Sequence, residues 1–63
     1  GREEGLEQGR VRELRRTLNR ILTKRFGAVS LEHAARIDLA TADELERWAD
    51  LALDAPSVAM VFA

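Results

Sequence analysis

A chain of 63 residues holds at most one domain, and folds of this size bury only about 60% of the surface that the unfolded chain exposes. With no cysteine and a single histidine, neither disulfides nor a structural metal centre can stiffen it, which leaves close helix packing or oligomerisation. The formal net charge of -1 excludes a uniformly basic chain, and no run of about 18 apolar residues is present to span a bilayer.

Residues 1–10 are a glycine-spaced lead-in, with Gly1, Gly5 and Gly9 four apart among Glu, Gln, Arg and Leu. Each glycine costs a helix interior about 1 kcal/mol relative to alanine. The glycines either form a flat strip that lets a second helix approach closely, or the segment is a polar, frayed entry to the helix that follows. The start carries no methionine and no apolar signal-peptide core, so it reads as the interior of a longer protein. Together with the absence of cysteine this makes a soluble cytoplasmic protein the expectation.

Residues 11–63 are expected to form a small all-α domain of three or four helices, led by one long amphipathic helix and oligomeric in solution. Val11, Leu14, Leu18, Ile21, Leu22 and Phe26 recur at the spacing of one helix face,. Arg25 falls inside this apolar stripe and is expected to pair with an acid from a later helix or another chain. Gly27 is placed to end the helix with a positive φ, behind Lys24 and Arg25 in the last turn. On the opposite face Arg12, Arg16, Arg20 and Lys24 lie four apart. As a nucleic-acid ridge they would neutralise phosphates. A solvated face is favoured instead, because no aromatic residue interleaves them and Asn19, the one side chain nearby suited to reading bases, sits off the row.

Ser30 is a candidate N-cap for a helix from Leu31 to about Asp38, with Leu31, Ala34, Ala35 and Ile37 as its apolar face,. His33 has no identifiable nucleophile or orienting carboxylate and reads as an exposed or edge-of-core side chain. Thr41-Ala42-Asp43-Glu44 is a capping box. The helix it opens is predicted to reach Asp54, with Leu45, Trp48, Ala49, Leu51, Ala52 and Ala55 inward. Trp48 is the expected core anchor. Pro56 stops this helix, Ser57 can cap a final turn from Val58 to Phe62, and the apolar side chains of that turn are expected to fold back on the first helix or dock on a second chain.

Charge is segregated along the chain. From Arg10 to Arg25 seven basic residues face one acid, Glu13, a net +6, whereas from Phe26 onward the net is -5. The two halves are matched for packing on each other or across a dimer.

Ile21-Leu22-Thr23-Lys24-Arg25-Phe26-Gly27, a short linker and helix, then the run Glu44 to Ala55 with Ser57-Val58 and Val61-Phe62, resemble a bacterial C-terminal helical domain of unknown function. That domain is found on Rpn-family and transposase-like proteins. The Glu4-Gly5 periodicity is similar to the linker helices that often precede it. Ala28-Val29-Ser30 replaces a linker that commonly holds proline, and Ala59-Met60 stands where acids are common. The resemblance implies an upstream nuclease domain of the restriction-endonuclease type, whose catalytic carboxylates and lysine would lie outside this chain.

The expected function is therefore a non-catalytic homodimerisation module, the accessory domain of an Rpn-like nuclease or transposase. Leu14, Leu18, Ile21 and Leu22 are the expected seam, closed by Trp48 and Phe62. The alternative is a nucleic-acid-binding accessory using Arg12, Arg16, Arg20 and Lys24. No catalytic, cofactor or metal residues are assigned. The acids of the second half have neither the alternation nor the loop glycine of a calcium site. A second copy of the chain is the expected partner, rather than a membrane or a small molecule.

Overall fold

The computed structural model describes residues 2–63, with side chains from residue 4 onward. Four helices follow one another: α1 (Arg2–Phe26), α2 (Leu31–Leu39), α3 (Ala42–Asp54) and α4 (Val58–Val61). No strand occurs among the described residues, so the chain is a small all-α domain led by a long helix. At about 1.5 Å per residue the 25 residues of α1 account for the 39 Å long axis, against 21 and 19 Å in the other directions.

Local chemistry sets the helix ends. Gly27 takes φ 90° and its N–H donates to the Thr23 carbonyl, closing α1 where a side chain would be strained,. Ser30 Oγ accepts the His33 N–H at 3.2 Å and starts α2,. At α3 the capping box is complete: Thr41 Oγ1 accepts the Glu44 N–H at 3.2 Å, and the Glu44 carboxylate accepts the Thr41 N–H at 3.1 Å,. Ser57 precedes α4 without a capping hydrogen bond.

Leu18, Leu22, Ile37, Leu45 and Val61 are fully buried, and Trp48, Ala52, Ala55 and Phe62 complete one core. The fold-back expected of the C-terminal turn is made within the chain by Val61 and Phe62, while Met60 stays outside. Contacts near both ends of α3 orient it: Arg10 pairs with Glu46, and Arg25 reaches the carbonyls of Ala52 and Ala55. The two helices thus lie side by side pointing the same way. α2 runs back the opposite way, and Arg15 meets Asp38 at its end.

Three expectations are corrected. Among the described residues Arg25 pairs with no acid of a later helix; its guanidinium donates to the Ala52 and Ala55 carbonyls, the latter at 2.8 Å. The last turn of a helix leaves carbonyls without partners, and α3 has no basic residue of its own there. On α2, Leu31 and Ala35 face outward rather than into the core, because so short a helix seats itself on Ile37 with Ala34 alongside. On α3, Leu51 is 41% exposed at the border of the packed face.

The lead-in continues α1 without a break from Arg2. Around Gly5 and Gly9 nothing lies within 4 Å of where a Cβ would sit, so among the described residues no second helix packs on these two glycines. Gly1 lies outside the described residues.

Candidate interaction surfaces

The six side chains expected at an oligomer seam divide in the fold. Leu18, Leu22, Trp48 and Phe62 lie in the chain's own core, and Leu14 and Ile21 are half-buried against it. A seam built from the first four would require that core to open. The apolar surface left for a partner is elsewhere.

Part of it is on α2. Leu31 and Leu39 are 90% and 87% exposed, with Ala35 exposed between them. The spacing i, i+4, i+8 puts the three on one stripe, and Ala35 lies about 160° round the helix from the buried Ile37. Leu6, on the uncovered first turns of α1, is 73% exposed. A shallow groove at the C-terminal end of α3 adds Leu51 and Met60, rimmed by Asp50 and Asp54.

The described cations of α1 fall into two sets. Arg10, Arg15 and Arg25 turn toward the rest of the chain. Arg10 pairs with Glu46 and, at 3.8 Å, with Glu7. The hydrogen bond and charge of Glu46, helped by Glu7 and Asp43, raise the guanidinium pKa above its ordinary value. Arg15 donates to the Asp38 carbonyl at 3.3 Å, while its Nε faces the Asp38 carboxylate at 3.8 Å, close enough for an ion pair and too long for a hydrogen bond,.

Arg12, Arg16, Arg20 and Lys24 form the second set. All four are exposed, and none makes an ion pair or side-chain hydrogen bond among the described residues. Asn19 stands beside this row and lines a shallow groove with Arg16, Arg20, Thr23 and Lys24. Spacing could locate the ridge, but only the packed fold shows that the acids of α2 and α3 leave it uncovered.

Sequence reasoning missed the cluster that closes the C-terminus. His33 stacks on Phe62, with ring centroids 4.4 Å apart and planes 13° from parallel. Trp48 meets Phe62 edge-on at 5.0 Å. Arg36 lies over both the Trp48 and Phe62 rings and donates to the Phe62 carbonyl at 3.0 Å. His33 therefore packs on an aromatic face, with no nucleophile beside it in the cluster. The only hint in sequence was the spacing of His33 and Arg36, which share a face of α2.

Among the described residues no group of three or more His, Cys, Asp or Glu side chains converges to hold a metal ion. No helix is long and apolar enough to cross a membrane. No model of a protein family, no curated protein and no solved structure matches the chain.

Proposed function

We propose that this chain is a non-catalytic self-association module, the accessory helical domain of a nuclease-like protein of the Rpn type that its sequence resembles. The observation that carries the reading is the stripe Leu31–Ala35–Leu39 on the outer face of α2, where two leucines are almost wholly in water. Side chains of this kind release about 1.5–3 kcal/mol each when buried. On a chain with so little core, leaving two of them out on one stripe favours a partner surface.

The stripe is self-complementary. Antiparallel packing of two α2 helices about a two-fold axis puts Ala35 at the axis and Leu31 of one copy against Leu39 of the other. The small central residue allows close approach between two large ones. Four leucines buried per dimer are comparable to the roughly 4–15 kcal/mol cost of association. Self-association by this stripe alone is therefore weak and seen at high concentration, and further contacts in a longer protein would strengthen it.

Sedimentation equilibrium from ~10 µM to ~1 mM, in low and in high salt, tests the reading. The expected result is a concentration-dependent dimer that survives high salt, because its contacts are apolar, and that is lost in Leu31→Ser/Leu39→Ser. A monomer at every concentration, or a dimer indifferent to that double substitution, would overturn it.

A further inference from the structure

The row Arg12, Arg16, Arg20 and Lys24 has no part in self-association through α2, and it has no acidic partner among the described residues. We propose that it is a sequence-independent binding strip for the phosphate backbone of duplex nucleic acid.

Four observations carry this. The cations stand about 6 Å apart along the helix, a row of about 18 Å, which is the axial rise of about five phosphates on one strand. Acids that could have neutralised the row are spent elsewhere, Glu46 on Arg10, Asp38 on Arg15 and Glu44 on the α3 cap. Glu13, the one acid on the basic stretch of α1, makes no pair with the row. Asn19 and Thr23 share the groove of Arg16, Arg20 and Lys24 and offer uncharged donors to phosphate oxygens,.

The same features choose among polyanions. A single-strand site stacks bases on aromatic side chains, and both phenylalanines and the tryptophan lie away from the row, packed in or against the core. A membrane-surface helix sets its cations beside a free apolar face. From Val11 to Phe26 the apolar face of α1 is turned into the core, and Thr23 and Asn19 border the row. What remains is a polar, cationic rod suited to the evenly charged backbone of a duplex.

The test is binding of a fluorescent mixed-sequence 20-base-pair DNA duplex to the 63-residue chain between 50 and 200 mM salt. Four neutralised phosphates give a log–log slope of about -3.6, or roughly 150-fold weaker binding over that range. Removing two cations in Arg16→Gln/Arg20→Gln should bring the slope to about -1.8. Arg16→Lys/Arg20→Lys keeps the charges, so it should keep the slope, and it serves as the folded comparison if the glutamine variant melts early. Arg47→Gln/Leu53→Glu on α3 changes net charge by the same amount away from the row and should bind as the parent does. The proposal is overturned if the parent shows no salt-dependent binding, if the α3 variant loses as much as the ridge variant, or if phosphatidylserine vesicles or a single-stranded 20-mer compete better than the duplex. None of these outcomes bears on the α2 dimer, which is read separately at high salt.

Discussion

The Arg25 guanidinium donates to the Ala55 carbonyl across 2.8 Å, so the last turn of α1 closes the last turn of α3. A second bond to the Ala52 carbonyl makes the contact a fork. Hydrogen bonds from a charged donor contribute about 1.5–3 kcal/mol when both groups are shielded, and less at a part-exposed site such as this. Arg25→Met, which keeps the stem and removes the donors, is expected to lower the melting temperature by about 5–10 °C, read by circular dichroism. Arg25→Lys should recover only part of the loss, since an ammonium lacks the planar fork.

Phe62 joins three elements, stacked on His33, edge-on to Trp48 and beneath Arg36. Phe62→Ala leaves a hole in a small core and is expected to cost about 3–5 kcal/mol. That is comparable to the whole stability of many domains this size. The readout is a red shift of Trp48 emission together with loss of the cooperative melt. A variant with unchanged emission would mean that the C-terminal turn does not cover Trp48 in solution.

Three glycines make opposite predictions. Gly5 and Gly9 are helical with open space around them, so Gly5→Ala/Gly9→Ala should stabilise α1 by about 0.5–1 kcal/mol per site. Gly27→Ala forces a side chain into φ 90° and should destabilise by about 1 kcal/mol or more. If the lead-in glycines serve as a contact strip between copies, the double alanine variant will also weaken the dimer. Dimerisation through α2 predicts no such change.

Thr41→Ala removes one arm of the capping box and Glu44→Ala the other. Each is expected to cost about 0.5–2 kcal/mol. Because the two arms support each other, the double variant should fall short of the sum in chemical denaturation.

Helix ends were readable in the sequence because their causes are local. Gly27, Ser30 and the Thr41–Glu44 pair carry their signal within four residues, and the fold uses all three as expected. The stripe of α1 was equally plain, since six apolar side chains over four turns define a direction. α2 is too short for that: Leu31, Ala34, Ala35 and Ile37 spread round the helix, and which side is buried is decided by what α1 and α3 offer it. Arg25 was readable as a misplaced charge but not as a cap on α3, because its partners are main-chain carbonyls, which every residue carries. The basic row could be counted in advance, whereas its freedom from acids follows only from where Glu46 and Asp38 settle.

That α1 and α3 point the same way has a further effect. The dipoles of antiparallel helices cancel, but these two add, and the nine residues of α2 running back offset only part of the sum. Both carboxyl ends lie at one end of the molecule, where α3 contributes Asp50 and Asp54 and no basic residue of its own. The domain therefore has a polar axis, and Lys24 and Arg25 sit where its negative pole would otherwise be bare. A molecule with such an axis is turned by the field of a charged surface before it touches it, so it approaches with one end forward.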